Sequence, residues 1–188
     1  MKVKYLYIVC IVAAVVFSCA KPPIAEMESA REAVFRAEND EDAVLFAAST
    51  LARARDSLRR MQVDADSKRY DSAKTNAAEA IAAAEKAIAD GKAGGGRAKE
   101  ESEALLSSLR NEIEETSRNL NGARYSQLSL DYSGLNGELA NARDYTDQAE
   151  AAHADGRYRD SLDSGRNARA VLGNINQKIA VAVPRSKQ

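Results

Sequence analysis

The chain has no tryptophan, one histidine, two cysteines and three prolines in 188 residues. Each scarcity removes a class of explanation. Cys10 lies inside an apolar leader and Cys19 at its edge, so the rest of the chain has no thiol for a disulfide, a metal site or a nucleophile. A lone histidine, His153, has no second imidazole to share a metal, and metal sites need several convergent ligands. Its place among alanines at the end of a helical stretch, where a cation is favourable, indicates a structural or solvent-facing role. Proline is absent between Pro23 and Pro184, so no proline breaks a helix across that span. No window alternates β-branched and polar residues over a strand's length.

Alanine makes up about a fifth of the residues. Without tryptophan and with three phenylalanines, this composition implies helices that approach closely through small side chains. The apolar spacing predicts six of them, over Ile24–Glu38, Asp42–Ala65, Tyr70–Ala89, Ala98–Arg124, Leu130–Ala154 and Arg157–Lys178. In the second, Val44, Leu51, Leu58 and Ala65 recur every seventh position, with Ala47, Ala54 and Met61 interleaved. The third carries a small-residue stripe, Ala73, Ala77, Ala80, Ala84 and Ala87, beside Ile81 and Ile88. In the fourth, Leu105, Leu109, Ile113, Thr116, Leu120 and Ala123 follow a 3–4 spacing. Between these two lies DGKAGGGR, where the entropy glycine loses on ordering predicts a hinge at 91–97. Residues 180–188 read as a frayed tail.

An internal repeat says more than any single motif. LARARDS at 51–57 matches LANARDY at 139–145, and Arg69-Tyr70 matches Arg157-Tyr158, all at one offset without gaps. Small residues follow each tyrosine at the same steps: Ala73, Ala77 and Ala80 after Tyr70, and Ser161, Gly165 and Ala168 after Tyr158. Two copies of one helical unit account for this. The expectation is an all-α chain of two stacked three-helix units, residues 24–90 and 98–179.

The first residues point to a location. Lys2 and Lys4 precede a run without charge from Tyr5 to Ala20, shorter than the roughly 20 residues of a spanning helix. A basic start, a short apolar middle and a small residue make the outline of an export signal. Val16-Phe17-Ser18-Cys19 resembles the lipobox of bacterial lipoproteins in the loose form typical of spirochaetes. That resemblance implies a signal peptide over 1–18, cleavage before Cys19, and acyl chains such as palmitate on Cys19 holding the chain to a membrane. Residues 19–23, ending in Pro22-Pro23, would form a tether. An uncleaved anchor, and a non-lipid cut with Cys19 a bystander, are the competing readings. After loss of 1–18 the chain has 25 basic side chains, the 27 of the whole less Lys2 and Lys4, against 28 acidic ones. Such balance argues against nucleic acid, which needs a concentrated basic surface.

DGRYRDSLDSGRNA, 155–168, resembles the turn and second helix of a tetratricopeptide repeat, and SKRYDSAKTNAAEA, 67–80, fits with Lys68 in the glycine's place. The helices before them are long for that family, and the period far exceeds 34 residues. PPIAEMESAREAVFRAE, then DAVLFAASTLARARDSL, then RYDSAKTNAAEAIAAAEKAI resemble an uncharacterised family of alanine-rich helical bacterial lipoproteins. The resemblance implies a helical fold in the bacterial envelope and no assigned chemistry; the expected location is on the inner or outer membrane, facing the periplasm in preference to the cell surface.

Other constellations read as structure. GKAGGGRAK has neither the spacing nor the preceding strand of a phosphate loop. Glu112, Glu114 and Glu115 form a solvated acidic face. Tyr125, Tyr132, Tyr145 and Tyr158 gather in the second half, where they either fill gaps between alanine-lined helices or form a binding strip. Arg53, Arg55, Arg59, Arg60, Lys68 and Arg69 are the one basic cluster; spread over more than one face, they read mainly as solvated or paired with acidic neighbours, and the sharper reading makes Arg55 and Arg59, four apart, contacts for a partner, an anionic lipid headgroup or a cell-wall polymer. The expected function is a non-catalytic, lipid-anchored scaffold that binds a protein in the envelope, with Tyr125, Tyr132, Arg55 and Arg59 as candidate contacts. It requires no cofactor and no metal. The alternative is a carrier holding a lipid or other apolar molecule between the two halves.

Overall fold

The computed structural model describes residues 21–183. The expected signal peptide, Cys19 and residues 184–188 lie outside them. The described residues are all-α, with six helices: α1 Ile24–Glu38, α2 Glu41–Phe46, α3 Ala48–Asp66, α4 Tyr70–Tyr125, α5 Tyr132–Ala154 and α6 Tyr158–Ala182. The chain divides into two compact units, one up to Lys92 and one from Ala93. α4 contributes its first part to the first unit and the remainder to the second.

Helix ends follow local chemistry. Asp40 accepts from the Ala43 amide at 2.8 Å and so caps α2, and Asp131 does the same for α5 through Gly134 at 3.0 Å. Three helices, α3, α4 and α5, end in one motif. Lys68, Gln127 and Gly156 stand at φ 57°, 56° and 77°. The amide of each donates three residues back, to Ala65, Arg124 and His153, and the next amide reaches Asp64, Ala123 and Ala152. Lys68 therefore occupies a left-handed position that Gly156 fills in the second copy.

In the first unit α1, α3 and α4 bury a common core. Ala30, Val34, Ala37, Ala54, Met61, Ala73, Ala77, Ala80, Ala84 and Ala87 are essentially inaccessible. Alanine leaves helix backbones near enough to exclude water without large side chains between them. The second unit uses larger groups at equivalent steps: Leu172 and Ile175 are buried where the first unit has Ala84 and Ala87. Gly165, the counterpart of Ala77, sits where a methyl group would come within 2.6 Å of Leu105 Cδ2. Burial thus follows the repeat while side-chain volume is exchanged between facing helices.

Four expectations need correction. The glycine-rich stretch 91–97 is helical, and the two helices expected at 70–89 and 98–124 are one helix of 56 residues. Gly91 serves close approach: a Cβ there would lie 2.5–2.7 Å from backbone atoms of Asp42 and Ala43. The helix expected over 42–65 is interrupted at Ala47, whose φ of −126° and ψ of 30° end α2 and start α3. The break changes the phase, so Val44 is 45% exposed while Leu51 is buried. Residues 180–182, expected to fray, continue α6. Pro23, read as spacer, is buried, and its carbonyl accepts from Met27.

Candidate interaction surfaces

The basic cluster on α3 is largely engaged. Arg55 Nε donates to Glu38 Oε1 of α1 at 2.6 Å, and Arg59 pairs with Asp56. Arg60 also bonds Asp56, with Asn76 Oδ1 of α4 at 3.3 Å. Exposed pairs of this kind contribute about 0–1 kcal/mol each. Arg55 and Arg59 are therefore paired with acidic neighbours on their own unit, the setting expected for most of the cluster, and are not free for the anionic contact that was the sharper expectation. Below them Asp64, largely buried, accepts from Arg69 Nε at 2.8 Å and from Asn76 Nδ2 at 2.7 Å. This carboxylate ties the α3–α4 turn to α4.

Large apolar side chains lie exposed elsewhere on the first unit. Phe35 of α1 is 66% exposed, and Val44 and Leu45 of α2 are about half exposed. Glu38 borders both the cleft that holds Phe35 and the one that holds Val44 and Leu45. Glu28, Arg31 and Glu32 also line the first cleft, and Glu41 the second.

In the second unit Tyr125 and Tyr132 flank the α4–α5 turn. Tyr125 is 92% exposed. Tyr132 is half-buried; its hydroxyl donates to the Leu128 carbonyl at 2.8 Å and Arg124 stacks 5.0 Å from its ring centre. Tyr132 braces the turn, and Tyr125 alone of the two is presented fully to solvent. Tyr145 and Tyr158 are also half-buried. The site candidates fall in different units: Arg55 and Arg59 in the first, Tyr125 and Tyr132 in the second.

His153 is fixed by its surroundings. Its Nδ1 lies 2.6 Å from Ser102 Oγ, and the Tyr158 ring meets it edge-on at 5.2 Å. Ser102 is inaccessible and its hydroxyl also reaches the Lys99 carbonyl at 2.9 Å. A nucleophilic serine needs an exposed oxygen and a base oriented by a third group. This pair instead joins α4 to α5. Nearby, Arg157 bonds Asp155 and Asp160, which raise its guanidinium above the ordinary value, Asp155 foremost.

The interhelical polar bonds were not read from sequence, although one signal existed. Ser102 and Thr116 stand on the stripe that includes Leu105, Leu109 and Leu120, and a polar residue on an apolar stripe demands a partner. Thr116 Oγ1 accepts from Asn176 Nδ2 at 2.8 Å. Among the described residues no group of three or more His, Cys, Asp or Glu side chains is placed to hold a metal ion. None of the described helices is long and apolar enough to cross a membrane.

Residues 25–105 match the model of a family described as a domain of unknown function (DUF4398). The match begins at the second residue of α1 and ends within α4. No curated protein and no solved structure matches the chain.

Proposed function

We propose that this protein is a lipid-anchored lipoprotein of the bacterial envelope, with two tetratricopeptide-like helical units, that acts as a non-catalytic scaffold for another protein. The observation that carries the reading is the exposure of Phe35, Val44 and Leu45 beside two clefts that share Glu38. In a unit whose core is built mainly from alanine, the large apolar side chains left outside are costly to hydrate, by roughly 25 cal/mol per Å² of apolar area. A partner that covers them removes that cost. The anchor would fix where those side chains are displayed; the partner covers Phe35. This shifts the expected contact from Arg55 and Arg59 to the neighbouring face of α1 and α2.

The test is a photo-crosslinking residue at position 35 in intact cells, with position 148, an exposed glutamine on α5, as control. A discrete adduct from 35 that is absent from 148, and lost when Val44 and Leu45 are both replaced by Asp, is expected. Equal labelling from both positions would overturn the reading. The alternative, a carrier of an apolar molecule, predicts an extractable ligand in the purified protein, which native mass spectrometry detects.

A further inference from the structure

α2 is six residues long, bounded by breaks at Asn39-Asp40 and Ala47, and a helix that short does not persist alone. The Asp40 cap holds its first turn, and the Ala47 amide donates to the Ala43 carbonyl at 3.0 Å. Ala43 is fully buried, with its backbone so near α4 that a Cβ on Gly91 would lie 2.5 Å from the Ala43 nitrogen. Opposite this contact α4 is built from poor helix formers. Gly91, Gly94, Gly95 and Gly96 fall within six positions. Each glycine lowers helix population by about fivefold relative to alanine. Just before them Asp90 accepts from Thr50 of α3 at 3.1 Å and from Lys86 at 2.8 Å. From Gly91 to Glu101 no side chain of α4 makes a hydrogen bond or ion pair among the described residues; such ties resume at Ser102. The stretch is helical all the same, and α2 is seated on its first residue.

We propose that α2 is a clamp on α4. While Ala43 lies against Gly91 the glycine-rich stretch stays helical; when α2 unwinds or lifts, residues 92–98 open locally, ahead of the rest of α4. The outer side of the clamp carries Val44 and Leu45, both about half exposed. A molecule that covers them needs α2 folded, so it binds the closed form, and by linkage it holds the stretch helical. That coupling rests on the scaffold reading; the clamp itself does not.

The test is hydrogen–deuterium exchange of the whole chain in detergent, read by mass spectrometry over residues 92–98 and, as a reference in the same helix, 77–84. Asp40→Ala removes the cap of α2 and is expected to speed exchange at 92–98 by about fivefold while 77–84 changes less than about twofold. Asp40→Asn keeps a capping side chain and should leave both segments at their original rates. At Gly96 a Cβ meets nothing within 4 Å, so Gly96→Ala should slow 92–98 by about fivefold, with or without Asp40→Ala. An unchanged rate at 92–98 in Asp40→Ala, or an equal rise at 77–84, would overturn the clamp whatever the crosslinking from position 35 shows. The purified adduct from position 35 should exchange at 92–98 about fivefold more slowly than the free chain. Equal rates in adduct and free chain would overturn the coupling to the partner while leaving the crosslink itself in place.

Discussion

Ser161 and Lys68 show what the repeat tolerates at single positions. Ser161 is buried with a hydroxyl that finds no partner, and its counterpart 88 residues earlier (161 less 73) is Ala73, equally buried. Ser161→Ala removes an uncompensated polar atom at almost constant shape. It is expected to stabilise the second unit by about 1 kcal/mol, read as a higher urea midpoint with unchanged slope. Lys68 holds φ 57°, a conformation that costs a side-chain-bearing residue about 1 kcal/mol. Lys68→Gly should recover part of that, less the entropy glycine loses on folding. A net gain of roughly 0.5 kcal/mol is expected by chemical denaturation; a loss would mean that the lysine side chain makes a compensating contact.

The helices were legible to different degrees, and the reasons are physical. Ends set by residues close in sequence could be read: the stop after Glu38, and the Arg-Tyr turn with glycine or lysine before it. What depended on distant neighbours could not. Glycine's entropy predicts a break at 91–97, but Gly91 lies against the backbone of Asp42 and Ala43, a contact across nearly fifty positions of chain. The interruption at Ala47 is equally hidden, since alanine itself favours helix. The candidate site fared worse. Spacing placed Arg55 and Arg59 on α3 beside acidic neighbours such as Asp56 but could not name Glu38, on α1, as the partner of Arg55, while Phe35 drew no attention because an isolated apolar residue on an amphipathic helix reads as core.

Two substitutions in α4 separate these causes. At Gly96 a Cβ meets nothing within 4 Å, so Gly96→Ala is expected to stabilise by about 0.5–1 kcal/mol through propensity alone. Gly91→Ala gains the same propensity but drives a methyl group into the backbone of α2, and overpacking costs about 1–3 kcal/mol. The expected result is opposite signs, with thermal unfolding at higher temperature for the first and at lower temperature for the second. If both stabilise, α2 does not rest on α4 as described.

For the molecule as a whole, the proposed anchor and the buried Pro23 together set a distance. Three residues, Ala20, Lys21 and Pro22, separate Cys19 from Pro23, and chain geometry limits that span to about 14 Å. Burying acyl chains contributes about 0.8 kcal/mol per methylene, so several chains on one cysteine would hold the protein stably where a single chain would not. An acylated Cys19 would therefore keep the first turn of α1 beside the headgroups. The proposed mature chain has no other cysteine, so Ile24→Cys introduces a single labelling site, at a position 68% exposed. A fluorophore there should transfer energy efficiently to an acceptor lipid in the same vesicle. The labelled chain made without residues 1–18 and with Cys19→Ser should show neither palmitate incorporation nor transfer, and inserting a twenty-residue Gly-Ser segment after Lys21 of the whole protein should reduce transfer without releasing it. Strong transfer from the chain without residues 1–18, or no palmitate on the unaltered protein, would overturn the lipid anchor.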